Sequence, residues 1–173
     1  MSCQETFLNG SRATLRAEGA ALDVEVLGFE FPEAHDDFNA QWLVARVTWS
    51  TAGGRLACEG ALFMIEELAA WGHSVMAPDD GIEAKLIEPN VRFACAPVDE
   101  RDAGAGERVV RLGLLQEAKT GNVHLETRLH VTREELVAFG RALGEMARLI
   151  ARRRVRPPVT RTPDSGSARA EVP

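Results

Sequence analysis

The sequence predicts an α+β fold, in which a mainly antiparallel sheet of six to seven strands carries two helices packed on one of its faces. Three observations predict it. Several short stretches alternate apolar and polar residues, as half-buried strands do. Two other stretches, 65–76 and 132–153, repeat their apolar residues at helical spacing. Gly53-Gly54 separates two alternating stretches, which is a hairpin signal.

The strand on which the others are arranged is predicted at residues 41–49. Leu43, Val47 and Trp49 share one face of it, whereas Trp42 lies on a face that mixes apolar and polar residues. A strand of this kind suits the middle of an antiparallel sheet. In chain order, the predicted strands are 21–27, 41–49, 55–63, 82–87, 91–95, 108–116 and 122–131.

The two helices are predicted to begin in the same way. Segments 66–72 and 134–140 each follow an alternating strand, start with two acids, and continue with a Leu and then an aromatic residue. Acids are stabilising at a helix N-terminus. Before the second helix, Thr132 and Glu135 match a capping box, in which each side chain bonds the backbone N–H of the other residue. The match between the segments predicts an internal strand–helix repeat.

The chain is expected to hold one domain with two extensions. Residues 1–20 show no clear period and are expected to form a loose N-terminal arm, followed by a single α+β domain at 21–153. Pro157-Pro158 prevents the last helix from continuing. Residues 154–173 are therefore expected to be a disordered, basic, Pro-containing tail.

Composition favours a cytoplasmic protein. The apolar share of 45% and the charged share of 27% are globular values, and no apolar run approaches the ~18 residues of a membrane span. The N-terminus lacks the basic start and the apolar core of a signal peptide. Cys3, Cys58 and Cys95 are an odd set without CxxC spacing, which favours buried, reduced thiols over a disulfide or a metal pair.

The formal net charge of −6 is unevenly distributed. From Arg152 onward, six Arg accompany two acids, so the tail carries +4, while the rest of the chain carries −10 with 14 basic and 24 acidic side chains. An acidic body repels nucleic acid and attracts basic proteins. A simpler interpretation of the excess of acidic side chains is that it keeps the protein soluble. Neither a nucleic acid nor a membrane is expected as a partner.

The residues do not form a convincing catalytic set. The chain lacks Walker A, GxGxxG and GxSxG motifs, and His-Leu-Glu at 124–126 resembles the start of a deaminase zinc motif without the PCxxC that must follow. His124 and His130 would lie ~20 Å apart along a strand, too far for one metal. No cofactor and no metal are expected. An acid–base cluster of His-Asp-Asp at 35–37 is the remaining catalytic hypothesis, and an enzyme is not expected.

The acidic turn before the 41–49 strand is the candidate partner-binding site. There, Asp36, Asp37 and Asn39 crowd against Trp42. Two carboxylates in a loop are readily solvated, so a role in binding explains them better than a role in stability. Trp42 has two interpretations, a core residue or an aromatic hot spot of an interface, and the core role is favoured.

The stretch 22–43 resembles the opening of a bacterial family named WapI-type immunity proteins. The similarity rests on a strand, on the acidic turn Asp37-Phe38-Asn39, and on Trp42-Leu43 at the start of a long strand. Residues 125–143 resemble the closing strand and helix of the family.

This resemblance spans roughly residues 20–153. The chain departs from the family pattern at Gln41, where the family usually has Asn, and in an extended acidic, Gly-rich loop at 98–107. The rest of the pattern, a strand, a helix with an acidic start, further strands and a closing helix, follows the predicted order of elements.

The resemblance implies a non-catalytic function, the binding and neutralisation of a cognate toxin. Family members are small cytoplasmic proteins encoded near contact-dependent or secreted toxin genes. An acidic face would meet a basic nuclease-type toxin and block its substrate groove. The alternative that the residues leave open is a small ligand-binding or scaffold module of another role, joined as a homodimer through a sheet face.

Overall fold

The computed structural model describes residues 11–77, 82–84, 86–88, 90–97, 107–116 and 123–154. These residues form two successive units, each with four antiparallel strands followed by one helix. The first unit contains β1 (Arg12–Ala17), β2 (Ala20–Phe29), β3 (Trp42–Thr51), β4 (Gly54–Met64) and α1 (Ile65–Met76). The second unit contains β5 (Ile82–Ala84), β6 (Val91–Pro97), β7 (Glu107–Gln116), β8 (Val123–Thr132) and α2 (Arg133–Arg154).

The α+β class is confirmed, but the single sheet of six to seven strands is wrong. The described residues hold eight strands in two sheets, with the orders β1-β2-β3-β4 and β5-β6-β7-β8. The predicted strand–helix repeat is thus a repeat of a whole unit. There are two sheets because α1 follows β4, and β5, the next strand after α1, pairs with β6 instead of joining the first sheet.

The additional strand, β1, lies where a loose arm was expected. In β1, Ala13 and Leu15 are buried, and Thr14 between them points to the other face. A strand of six residues with two buried apolar positions gives too short an alternation to recognise in the sequence. The rest of the expected arm, residues 1–10, and the expected tail after Arg154 lie outside the described residues, as does Cys3.

Each helix has a glutamate at its third position that accepts a hydrogen bond from the backbone N–H of the residue before the helix. Thr132 N–H donates to Glu135 Oε2 at 2.8 Å, and Glu135 N–H donates to Thr132 Oγ1 at 3.2 Å, so the predicted capping box is confirmed. At the start of α1, Met64 N–H donates to Glu67 Oε2 at 2.8 Å. The other oxygen of Glu67 accepts a hydrogen bond from Ile87 N–H. Glu67 therefore also connects α1 to the segment after β5.

The two helices pack on each other at a pair of glycines. A Cβ on Gly72 would come within 2.7 Å of Gly140 O, and a Cβ on Gly140 would come within 2.7 Å of Gly72 O. The absence of a side chain at both positions lets the two backbones approach this closely. The two glycines end the matched segments 66–72 and 134–140, so they occupy equivalent positions in the repeat.

Arg133 joins the beginning of α2 to the end of α1. Its Nη1 donates to Ala77 O at 2.7 Å and its Nη2 donates to Met76 O at 2.8 Å. The last carbonyls of a helix lack partners within the helix and attract cations. The helices are therefore antiparallel. They were expected side by side on one sheet face, but each contacts the first strand of the other unit, α1 with β5 and α2 with β1.

An aromatic cluster fills the space between the two units. The ring centroids of Trp71 in α1 and Phe139 in α2, which match in the repeat, lie 5.6 Å apart. Phe63 of β4 and Phe93 of β6 lie with their centroids 5.6 and 5.2 Å from that of Trp71. All four side chains are fully buried. Since both units contribute to one cluster, they share a single core.

The outer face of the first sheet carries a row of alternating charges. Arg12, Glu25, Arg46 and Glu59 are cross-strand neighbours from β1 to β4. Arg46 Nε lies 2.7 Å from Glu59 Oε2, and Arg46 Nη1 lies 3.4 Å from Glu25 Oε2. Beside this row, burial would raise the pKa of Asp23, but hydrogen bonds from Arg12 and a threonine hydroxyl outweigh burial and lower that pKa. Arg12 and Arg46 of this row thus have acidic partners.

Gly140→Ala is expected to destabilise the protein, because the new methyl group would meet Gly72 O and force the helices apart. The unfolding free energy should fall by about 1–3 kcal/mol, the range for overpacking a filled site. Urea unfolding followed by circular dichroism measures this difference.

Gly144→Ala in the same helix is the matched control, since a Cβ on Gly144 would have no atom of the described chain within 4 Å. This change should raise the unfolding free energy by about 0.5–1 kcal/mol, through the lower conformational freedom of Ala in the unfolded chain. Equal effects of the two substitutions would contradict the close contact between the helices.

Thr132→Ala removes the acceptor of the Glu135 amide and should lower the unfolding free energy by about 1 kcal/mol. For a domain of this size, the thermal midpoint should fall by about 2–4 °C. Thermal unfolding followed by circular dichroism tests this expectation, and an unchanged midpoint would show that the cap does not contribute to the stability of α2.

Candidate functional site

The predicted partner-binding residues lie in the connection between β2 and β3, at one end of the first sheet. This connection, residues 30–41, is called the acidic–aromatic loop below. Asp36, Asp37 and Asn39 are exposed on it, whereas Trp42, the first residue of β3, is only 9% exposed. The structure therefore brings the four residues together but gives them different surroundings.

Asp36 organises the loop through its carboxylate. Asp36 Oδ1 accepts a hydrogen bond from Asn39 N–H at 2.8 Å, and Oδ2 accepts one from Asn39 Nδ2 at 3.1 Å. Ala40 N–H donates to Asp36 O at 3.1 Å, next to the single turn of 3₁₀ helix at Asn39–Gln41. The two hydrogen bonds from Asn39 to the carboxylate, first the backbone one and then the side-chain one, lower the pKa of Asp36. The Asp36 carboxylate therefore has a structural role that sequence reasoning did not assign to it.

Asp37 differs from Asp36 in how it contributes to the turn. Its side chain is exposed, and its backbone carbonyl accepts a hydrogen bond from Gln41 Nε2 at 3.1 Å. Gln41 stands where the resemblance leads one to expect Asn, and its longer side chain spans the turn. Replacing the Asp37 carboxylate therefore leaves this hydrogen bond in place, which makes Asp37 the cleaner probe of charge in the loop.

Phe38 is held at the surface by a contact with Trp42. Phe38 is 58% exposed, and the two rings meet edge-on with centroids 6.1 Å apart and planes at 77°. Trp42 lies on the opposite face of β3 from Leu43 and pairs with Met64 of β4. Trp42 is therefore buried beneath Phe38, on the face of β3 that does not contribute Leu43 to the shared core.

A second exposed aromatic residue extends the apolar part of the loop. Phe31 is 42% exposed and borders a concavity of about 370 Å³, to which Asn39 also contributes. Glu30 and Glu33 line the same concavity. Carboxylates and aromatic surface therefore lie side by side on the loop.

Arg154, the last residue of α2, fixes the loop to the second unit. Arg154 Nη2 donates to Ala34 O at 3.3 Å. Its guanidinium carbon lies 5.3 Å from the ring centroid of Phe29, within the range of a cation–π interaction. The position of the loop therefore depends on where α2 lies.

Other candidates from the sequence are dispersed over the surface. His35 is exposed in the acidic–aromatic loop, and His124, Glu126 and His130 are exposed on the outer face of β8, as predicted. Within the described ranges, no group of three His, Cys, Asp or Glu side chains is placed to hold a metal ion. None of the helices formed by the described residues is long and apolar enough to cross a membrane.

The two described cysteines are buried free thiols, as predicted. Cys58 Sγ lies 3.3 Å from Leu115 O, which brings β4 and β7 into contact. Burial raises the pKa of both Cys58 and Cys95. Their chemistry is therefore that of small core residues rather than of reactive thiolates.

Sequence reasoning did not propose the two exposed aromatic residues as contacts. It named Phe38 as part of the acidic turn and did not consider Phe31. The sequence does contain a sign of their exposure, because both residues lie in a segment rich in Glu, Asp and Pro whose pattern fits neither a strand nor a helix. A large aromatic residue in such a segment has no regular buried face to occupy.

Comparison with known protein families assigns most of the chain to one family. The sequence model of the Immunity protein WapI-like family matches residues 14–150. The match extends from β1 to near the end of α2 and so includes both units and the acidic–aromatic loop. No curated protein and no solved structure matches the chain significantly. The chain therefore belongs to the WapI-like immunity protein family.

Proposed function

We propose that this chain is a non-catalytic immunity protein that binds and neutralises a cognate toxin through the acidic–aromatic loop. The observation that carries the proposal is Phe38, which is 58% exposed on an ordered turn. The hydrogen bonds of that turn involve Asp36, Asn39 and Gln41, so they do not require an aromatic residue at position 38. Exposed aromatic residues on an ordered loop are typical anchors of protein interfaces.

The charges around Phe38 indicate the kind of toxin. Glu30, Glu33, Asp36 and Asp37 are all exposed on the same loop. Such a surface is complementary to a basic one, and complementary charge accelerates association and disfavours wrong partners. The cognate toxin is therefore proposed to be basic, as a nuclease is along the groove that binds its polyanionic substrate.

Neutralisation would follow from occupation of that groove. If Phe38 binds at the entrance of the toxin's groove, the carboxylates of the loop would lie next to the cationic side chains that otherwise contact substrate phosphates. The substrate is then excluded by volume and by charge, and no covalent step is needed. The contact of Phe38 with Trp42 reduces the conformational freedom that Phe38 loses on binding, which favours affinity.

The same proposal implies a cytoplasmic location, where the protein would meet a toxin that has entered the cell. Cys58 and Cys95 support this location, because both are free thiols and buried thiols persist in a reducing compartment.

Asp37→Asn and Phe38→Ala are expected to weaken binding of the toxin encoded beside the gene of this protein. Asp37→Asn should mainly slow association at low ionic strength, since exposed charge acts on the encounter and is screened by salt. Phe38→Ala should mainly speed dissociation, with a loss of about 2 kcal/mol or roughly 30-fold in Kd. Surface plasmon resonance at two salt concentrations measures both effects.

Glu18→Gln is the matched control, because Glu18 is exposed in the β1–β2 turn at the opposite end of the first sheet. This variant removes the same charge and should leave the association rate unchanged. Asp36→Asn is measured separately, since it also disturbs the hydrogen bonds to Asn39. Wild-type kinetics in both Asp37→Asn and Phe38→Ala would exclude the loop from the interface, and failure of the wild-type chain to bind this toxin would contradict the proposed function.

A further inference from the structure

The outer face of the second sheet carries a cluster of arginines that the proposed function does not use. Arg92 on β6, Arg111 on β7 and Arg128 on β8 are all exposed. Arg111 and Arg128 are direct cross-strand partners. Like charges directly opposite each other on a sheet are destabilising. The stability of the fold therefore gives no reason for this pair.

In the first sheet, the equivalent row of outer-face residues alternates between positive and negative side chains. A β-bulge interrupts the alternation of β4 near its end, so the outer-face residues counted back from the helix are Met64, Ala61 and Glu59 in β4 and Thr132, His130 and Arg128 in β8. Glu59 and Arg128 thus hold the same third position. Their cross-strand partners are Arg46 and Arg111, respectively. In the first sheet, Arg46 lies between Glu25 and Glu59 and forms ion pairs with both.

In the second sheet, both positions that are acidic in this row hold other residues. Arg128 stands where the first sheet has Glu59, and Ala94, which pairs with Arg111, stands where it has Glu25. Across the described ranges, neither Arg111 nor Arg128 nor Arg92 takes part in an ion pair. The two units can therefore be compared directly: the first has a row of paired charges, and the second has arginines without an ion-pair partner among the described residues.

The surface between these arginines is concave. Arg92, Arg111 and Arg128 border a concavity of about 1000 Å³. Ala94 and Gly113, which lie between them on the central strands, also line it. A Cβ on Gly113 would lie 3.3 Å from the Cβ of Arg92, so the glycine makes space for the stem of that arginine.

We propose that this concavity binds a compact anion of the phosphate class with at least two negative charges, such as pyrophosphate or the polyphosphate group of a nucleotide. Guanidinium groups hold phosphate oxygens through pairs of N–H donors. An anion bound between Arg111 and Arg128 would also replace their repulsion by two attractive contacts.

Two carboxylates restrict the size of the anion. Glu83 pairs with Ala94 at one edge of the arginine row, and Glu126 pairs with Gly113 next to Arg128. Both line the concavity and would repel an extended polyanion, but three arginines against two carboxylates leave its lining with a net positive charge. The net charge of −6 likewise opposes a nucleic acid polymer.

The wall of the concavity offers a contact for a nucleotide base. Leu86 and Ile87 line it, and Ile87 is 57% exposed. A base stacked on this apolar wall would add affinity that pyrophosphate lacks. Comparison of ATP with inorganic pyrophosphate therefore separates the two sources of the anion.

Isothermal titration calorimetry of the full chain with sodium pyrophosphate at low ionic strength tests the proposal. Saturable binding with one site per chain is expected. Arg111→Gln combined with Arg128→Gln should weaken it at least about tenfold, since each removed guanidinium takes away charge-assisted hydrogen bonds. The thermal midpoint of this variant without ligand should equal or exceed that of wild type, because the repulsion is removed.

Arg141→Gln combined with Arg148→Gln is the matched control, because both residues are exposed on α2 and the change in net charge is the same. This control should bind pyrophosphate within about twofold of wild type, as expected for exposed charges beyond the range of screened interactions. An equal loss in the control would show general charge attraction and overturn the proposal, as would the absence of saturable binding. Titration with ATP in place of pyrophosphate then identifies the kind of ligand. Equal affinities would indicate an inorganic anion, and tighter binding of ATP would indicate a nucleotide.

Nuclear magnetic resonance of the wild-type chain locates the site without any substitution, and it decides the question if the arginine variant fails to fold. Pyrophosphate should shift the amide signals of Ala94 and Gly113 more than those of the first sheet. Shifts centred elsewhere would overturn the proposal. Binding of an oligoglutamate peptide at the arginines without binding of pyrophosphate would overturn it as well, in favour of an acidic protein partner.

Discussion

The close contact between Gly72 of α1 and Gly140 of α2 is the constraint on which the rest of the structure depends. Each unit has its own sheet, and the antiparallel helix pair joins the two. At this separation, Trp71 and Phe139 meet in one buried cluster, and each helix reaches the first strand of the opposite unit. A larger residue at either glycine would separate the helices and with them the shared core. The equivalent positions of the glycines show that both halves of the repeat contribute alike to this contact.

The position of the acidic–aromatic loop follows from the same contact. The helix pair sets where α2 lies, and Arg154 at its end bonds Ala34 and lies over Phe29. Within the loop, the carboxylate of Asp36 orders the turn, and Phe38 rests on buried Trp42. The proposed contact residues are thereby carried on an ordered support, which limits the conformational entropy lost on binding.

Features set by local sequence could be predicted, and features set by distant pairing could not. The capping box at Thr132 and the bounds of both helices depend on neighbouring residues, and the structure agrees with them. The division into two sheets depends on where the chain returns after α1, and β1 offered too few apolar positions to be recognised. At the candidate site, the acidic turn was identified, but the structural role of Asp36 depends on the folded shape of the turn. The opposition of Arg111 and Arg128 required the register of β7 and β8, which composition does not specify.

The most direct test of the account is hydrogen–deuterium exchange of the chain, free and bound to the toxin encoded beside its gene. The amides of Asn39, Ala40 and Gln41 are donors within the acidic–aromatic loop, so they report on its contact with a partner. If the toxin binds at this loop, exchange there should slow on binding, while the buried centre of the helix pair should exchange as before. Unchanged exchange in the loop, together with protection of another surface, would contradict the assignment of the loop as the toxin-binding site.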